Sequence, residues 1–293
     1  MPRPHGAARS ASAQVYVDDL GVPELLDADR HHLQHVLRLR PGEVVLASDG
    51  RGGWVLCRWS PGKALEVAGP AARTARPGPP LTVALAVPKG ERADWAVQKL
   101  TEVGVDRIVP LVTRRSVVRW PPERAARQVE RWRAIARSAS GQSRRLWLPE
   151  VEAPSTLGEL LAAAGVRSPE GAGVAATGWS EPPEGGSGAI FAEEPDRHGG
   201  RPDASPAPTT TLAVALADPG GPPPDLDHPT VAIGPEGGWD DEELQAAPAT
   251  VGLGASVLRT ETAAVVTGAL LVALRAGIVA PAGGPGMGRT GAG

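Results

Sequence analysis

Three stretches of this 293-residue chain carry residues whose types and spacing could do chemistry. In the first, the apolar run Val231, Ala232 and Ile233 leads into Gly234, Pro235, Glu236, Gly237 and Gly238. Glycines directly after a buried strand let a ligand approach the backbone, and in open α/β sheets ligands bind at that end of the strands. The plainer reading is a tight turn joining strand to helix. Asp240 and Glu243 follow at capping-box spacing, which starts a helix. In the second stretch, Leu253 and Gly254 precede Leu258, Arg259, Thr260, Glu261, Thr262 and Ala263. A cation, a carboxylate and two hydroxyls here stand beside the unpaired N–H groups of a helix start. They could serve a polar ligand, or form a threonine cap with an Arg259–Glu261 surface pair. The third stretch is Pro88, Lys89, Gly90, Glu91 and Arg92. A basic loop after a strand could hold phosphate or lie in solvent.

Positioning these residues takes alternating strands and helices. Residues 81–87 read as a continuous apolar strand. A helix over 93–103 places Ala93, Ala96, Val97 and Leu100 on one face and stops at Gly104. A strand over 106–112 leads to a helix over 122–140, with Val129, Trp132, Ile135, Ala136 and Ala139 on one side and arginines on the other. Apolar runs resume at 211–216 and 230–233. This alternation predicts an α/β fold with a parallel sheet. Residues 14–70 instead show short strands at 15–17, 43–47, 53–58 and 64–67, with a helix over 31–39 capped by Asp29. That pattern predicts a small β-barrel. The expected division is a domain over 1–72, a linker over 73–80 and a second domain over 81–280. Residues 167–208, rich in Gly, Pro and acids, read as a loose insertion, and 281–293 as a disordered tail.

The single cysteine, Cys57, excludes an internal disulfide and a Cys-based zinc cluster and fits a cytoplasmic setting. Residues 1–14 lack the apolar core of a secretory signal. The most apolar stretch, 263–274, falls short of the roughly 20 residues a bilayer span needs, so no membrane association is expected. His31, His32 and His35 raise a metal site, but no Asp, Glu or Cys follows at a ligand spacing, and none is expected. Net charge is −3, yet residues 107–147 hold eleven Arg against Glu123 and Glu130. A basic segment in a mildly acidic chain is the footprint of a face that holds a polyanion, or else a solvated surface in a chain that favours Arg over Lys.

Together these motifs resemble one family along nearly the whole chain. Ile233 through Gly238 and Leu258 through Ala263 occur in an order and spacing similar to the bacterial 16S ribosomal RNA uridine-N3 methyltransferases of the SPOUT superfamily. Upstream, His32, Leu33, Gln34, His35, Val36, Leu37 and Arg38, followed by Pro41-Gly42 and Asp49-Gly50, resemble that family's PUA-like RNA-binding domain. The resemblance implies a C-terminal SPOUT α/β trefoil-knot domain with a small N-terminal PUA-like β-barrel. It implies S-adenosyl-L-methionine as cofactor, bound by Leu216 and the loop after it, by Ile233, Gly234, Pro235, Glu236, Gly237 and Gly238, and by Leu253, Gly254, Leu258, Thr260, Thr262 and Ala263. Arg259 would face charge developing on the base oxygens, and Glu261 would orient Arg259 or accept the N3 proton. RNA contacts are expected from His32, Arg38, Lys89, Arg92, Arg114, Arg115, Arg144 and Arg145, with Arg124, Arg127, Arg131 and Arg137 on the long helix. The implied partners are 16S ribosomal RNA in the 30S subunit and a second copy of the chain packed on 263–274. One departure stands out: the family's Ala-x-x-Glu-Gln-x-x-Arg pattern finds Gln142 and Arg145 in place but Gly141 where Glu is usual. Alternative readings are a SPOUT methyltransferase for another RNA position and a catalytically silent RNA-binding or ribosome-assembly factor.

Overall fold

The computed structural model describes residues 10–62, 64–166 and 213–281. The insertion expected over 167–208 lies outside the described residues, as does the expected tail beyond residue 281. The chain opens with β1 (Ala13–Tyr16), then α1 (Asp27–His31), which runs into a π-helical turn, His32–Val36. β2 (Val44–Ser48), β3 (Gly53–Arg58), β4 (Glu66–Val67) and β5 (Ala72–Arg73) follow. Next come β6 (Thr82–Ala86), α2 (Arg92–Val103), β7 (Arg107–Val112), α3 (Pro122–Gln142), β8 (Glu150–Val151), β9 (Ser155–Thr156) and α4 (Leu157–Ala163). The last elements are β10 (Val214–Ala217), β11 (Thr230–Ile233), α5 (Asp241–Ala246), β12 (Thr250–Val251) and α6 (Thr260–Arg275).

The first five strands form one mixed sheet, β1-β2-β3-β4 with β5 also on β3, around Val15, Val45, Ala47, Val55 and Trp59. Two expectations change here. Asp29 is inside α1 rather than at its cap, which is Leu26. Arg73, expected as the first linker residue, pairs with Gly53 of β3.

The second sheet has the order β12-β10-β11-β6-β7-β8, with β9 also on β7, and its pairs are parallel. Strands such as Thr82–Ala86 and Thr230–Ile233 are buried throughout because helices cover both faces. Alternate strand residues Val83, Leu85, Val231 and Ile233 meet α2, α3 and α6 on one side, through Val97, Leu100, Trp132 and Leu271. Ala84, Val109, Leu216 and Ala232 face α4 and Trp239 on the other. Helix α4 escaped the periodicity argument, although its capping box, Thr156 with Glu159, is a legible sequence signal.

Residues 144–148 strap the two sheets together. Tyr16 Oη donates to Arg145 O at 2.7 Å, Leu148 N to Gly50 O at 2.9 Å and Gly52 N to Leu146 O at 2.9 Å. The variant position Gly141 packs here: a Cβ on it would lie 3.4 Å from Gln14 O.

The final connection crosses another. β12 lies at the edge beyond β10, yet α6 packs on β6 and α2. Residues 252–259 must therefore pass back across the carboxyl ends of β10 and β11, the crossing on which a trefoil knot rests. At that point Asp218 N donates to Val251 O at 2.9 Å and Gly252 N to Pro222 O at 2.7 Å. A Cβ on Gly252 would overlap the carbonyl oxygen of Gly221, and one on Gly221 would sit 2.6 Å from Val251 C. Backbone has nowhere to retreat at a double crossing, so Gly252→Ala is expected to destabilise the fold by about 4 kcal/mol or more. Denaturant titration followed by circular dichroism checks this, and wild-type stability would mean the two backbones do not touch.

Candidate active site

Because the strands are parallel, the turns after β10, β11 and β12 emerge at one edge and enclose a pocket. Ala217, Asp218 and Pro219 supply one wall, Ile233, Gly234, Pro235, Glu236, Gly238 and Trp239 the second, and Leu253, Gly254, Ser256, Val257, Leu258, Thr260 and Ala263 the third. Two bonds lock the walls together. Trp239 Nε1 donates to Ala217 O at 2.9 Å, tying the second turn to the first. Thr260 Oγ1 donates to Gly234 O at 3.0 Å, tying the third to the second. The hydroxyl expected to cap the helix therefore holds the loops instead, and α6 has Arg259 at its cap position with no side-chain cap bond. Glu243 completes a capping box with Asp240, as its spacing predicts, and its Oε1 also accepts from Arg114 N at 2.9 Å.

Of the residues expected around a cofactor, Ile233, Gly234, Pro235, Glu236, Gly238, Leu253, Gly254, Leu258, Thr260 and Ala263 line this pocket. Leu216 does not: its side chain is fully buried in the core, and the chain reaches the pocket only at Ala217. Gly237 and Thr262 also stay outside the lining. Gly237 offers its carbonyl to Arg115 Nη1 at 3.0 Å, and Thr262 is solvent-exposed. The expected loop after Leu216 supplies Ala217, Asp218 and Pro219, and the stretch between Leu253 and Ala263 adds Ser256 and Val257, none of them named from the sequence; Trp239 was missed as a wall. The signal for Trp239 was its place directly after the glycine turn.

Beside the pocket stands a charged group. Glu261 is 8% exposed, and its Oε1 lies 3.7 Å from Arg92 Nε. Arg92 Nη1 is also 3.7 Å from Glu236 Oε1. The expected Arg259–Glu261 pair is absent. Arg259 is exposed and makes no ion pair among the described residues, because the first turn of α6 aims Glu261 at the start of α2. Glu261 Oε2 is buried without a hydrogen-bond partner among the described residues. A carboxylate oxygen kept dry and unpaired is costly, and in a native fold it calls for an explanation.

The expected RNA contacts divide. His32, Arg38 and Lys89 are exposed, and none makes an ion pair among the described residues. Arg92 is taken by the two glutamates. Arg114 pairs with Asp240 at 3.5 Å and with Glu242, and Arg115 holds Gly237, so both brace the pocket's second wall. Arg144 and Arg145 are not at an open surface. Arg144 Nη2 donates to Ala11 O and Ser12 O at 3.0 and 3.1 Å, and Arg145 Nη1 to Thr101 O and Val105 O at 2.8 Å. On α3, Arg131 is bound to Asp94, and Arg137 donates to Tyr16 O at 2.7 Å beside Asp29. Arg124 lies over Trp120, and Arg127 makes no ion pair among the described residues. The basic segment is thus largely spent on internal contacts, since buried carbonyls and carboxylates attract guanidinium donors as well as phosphates do. The His31 and His35 rings lie 4.7 Å apart, tilted by 41°, and no group of three or more metal-ligating side chains occurs among the described residues. No helix among them is long and apolar enough to cross a membrane.

Comparison with known proteins agrees with this geometry. Residues 76–168 and 210–272 match the RNA methyltransferase domain family, and 25–61 match the RNA methyltransferase PUA domain. The family match passes over 169–209, within which most of the expected insertion falls. Ribosomal RNA small subunit methyltransferase E of Mycobacterium bovis is 32% identical over 86% of this chain and 87% of its own. The Bacillus subtilis protein of the same name is 25% identical over 80% and 82%. A crystal structure of the Neisseria gonorrhoeae enzyme of that name, bound to S-adenosyl methionine, superposes with a TM-score of 0.62 at 25% identity, covering 88% of this chain and 95% of the other. A probable rRNA-methyltransferase from Porphyromonas gingivalis shares the fold, with a TM-score of 0.62 at 23% identity over 91% of this chain and all of its own. With a PUA-type sheet ahead of a parallel sheet whose three turns close a pocket, the chain belongs to the ribosomal RNA small subunit methyltransferase E family of RNA methyltransferases.

Proposed function

We propose that this chain transfers a methyl group from S-adenosyl-L-methionine to N3 of a uridine in 16S ribosomal RNA, acting on the 30S subunit in the cytoplasm. The observation that carries this reading is the pocket of three interlocked turns with a buried, unpaired Glu261 oxygen beside it, in a chain of this family. The lining suits the cofactor. Ile233, Leu253, Val257 and Leu258 are apolar walls for a flat ring. The backbone of the glycine turn offers hydrogen bonds to its polar edge, and Asp218 and Glu236 suit a ligand with hydroxyls and positive charge. When bound, the cofactor supplies an electrophilic methyl carbon on a sulfonium.

Uridine N3 carries a proton and is a poor nucleophile until it leaves. Glu261 Oε2 has free lone pairs and takes that proton. Of its two candidate roles the proton acceptor is the one we propose, because its other oxygen faces Arg92 and not Arg259. Arg259, without an ion pair among the described residues and permanently charged, faces the negative charge left on the base oxygens. The base must leave its stack to reach this crevice. Lys89, Arg119, Arg124 and Arg127, at the pocket's end of the sheet, hold RNA phosphates, and His32 and Arg38 extend the contact onto the first sheet. A second copy covers the apolar side of α6, where Val265, Val266 and Leu270 are partly exposed, and the residues just past its end, Ile278 and Val279, which are 76% and 41% exposed.

The test incubates the protein with labelled S-adenosylmethionine and 30S subunits lacking their native uridine methylation, then maps the label by mass spectrometry. N3-methyluridine in the small-subunit RNA is expected. Label on a ribose or a guanine would move the target, and no label despite cofactor binding would favour a silent RNA-binding factor.

A further inference from the structure

Asp218 lines the pocket one residue beyond β10. Its carboxylate accepts from Gly220 N at 3.2 Å, and it makes no ion pair among the described residues. The other lining carboxylate, Glu236, has Arg92 3.7 Å away. Among the described residues, no Arg, Lys or His lines the pocket. Asp218 is therefore the source of uncompensated negative charge in its wall.

S-adenosylmethionine and its product S-adenosylhomocysteine share the adenine, the ribose and the amino-acid end. They differ by one methyl group and one positive charge. Contacts to the shared parts hold both ligands equally, so preference for the donor must come from a group that senses the methyl or the charge, and a carboxylate in the wall senses the charge. We propose that Asp218 is that determinant: its carboxylate makes the pocket favour the charged methyl donor over the neutral thioether product and so favours product exchange. The inference rests on the reading that this pocket holds the cofactor.

Calorimetric titration of the full chain with each ligand separately tests it, with no turnover involved. Wild type is expected to bind the donor more tightly than the product. Asp218→Asn keeps an oxygen for the Gly220 turn and removes the charge. It should weaken donor binding roughly fivefold, the upper range for a partly exposed charge pair, and leave product binding within about twofold. Asp218→Glu should retain the preference, and added salt should shrink it in the wild type and the Glu variant but not in the Asn variant. Melting curves report whether each variant folds; if the Asn variant does not, the Glu variant and the salt series carry the test. Equal weakening of both ligands would overturn the proposal and assign Asp218 to a shared group such as the ribose hydroxyls. An unchanged ratio would overturn it too. Ser256→Trp, which fills the pocket, should abolish binding of both ligands. Undiminished binding there would place the cofactor elsewhere and overturn the reading of the pocket itself.

Discussion

Glu261→Gln is expected to lower kcat for RNA methylation by about 100- to 10,000-fold, the range for loss of a positioned general base. The substitution keeps the shape of the side chain and its packing at 8% exposure but removes the lone-pair charge that takes a proton. Cofactor affinity should stay within about twofold, because Glu261 does not line the pocket. The melting temperature should barely move, since the only partner lost among the described residues is Arg92 at 3.7 Å, which is itself half exposed. Single-turnover rates with 30S subunits, alongside calorimetric cofactor binding, separate these effects. A Gln variant within threefold of wild type would remove Glu261 from the chemistry. Arg259→Lys is the companion test: it keeps the charge but loses the planar fork, and full turnover there would dismiss Arg259 as the group facing the base oxygens.

Asp106→Asn should cost about 3 kcal/mol of stability, the lower end of what breaking a buried ion pair costs. Asp106 is 2% exposed at the end of the sheet away from the pocket. Its Oδ2 accepts from Leu81 N at 2.9 Å and pairs with Arg275, while Arg145 and Arg76 stand 3.8 Å from Oδ1. The same guanidiniums cap the end of α2: Arg275 Nη2 donates to Gly104 O at 3.0 Å, and Arg145 Nη1 to Thr101 O at 2.8 Å. Burial works against the charge on Arg145, and the carboxylate of Asp106 offsets part of that penalty. The Asn variant keeps the bond to Leu81 and leaves the arginines without an anion in a dry site. Four segments meet here, the approach to β6, the α2–β7 turn, the end of α3 and the last residue of α6, so the loss should be felt by the whole second sheet. Denaturant titration measures it, and a double-mutant cycle with Arg275→Met isolates the pair. A loss below 1 kcal/mol would mean that Asp106 is a bystander.

Much of the frame is legible locally. Apolar residues spaced along 93–103 and 122–140 specify helices whose buried faces are those the structure shows, because a helix period and a half-buried face admit one register. The glycines after Ile233 and the capping box at Asp240 mark a strand end and a helix start, and those ends become the second wall of the pocket. What failed was the meaning of charge. Eleven arginines between 107 and 147 read as an RNA face, whereas Arg144 and Arg145 turn inward to carbonyls more than 35 residues away in sequence.

The sequence by itself determined which segments are strands and helices, where the turns fall and, through its motifs, which family the chain joins. Tertiary structure alone decided which arginine meets which carboxylate: Arg92 with Glu261, Arg275 with Asp106, each pair 169 residues apart. Periodicity and capping act over a few residues. A partner across the fold depends on where one connection crosses another, as at Gly221 and Gly252, and nothing in local composition encodes that crossing.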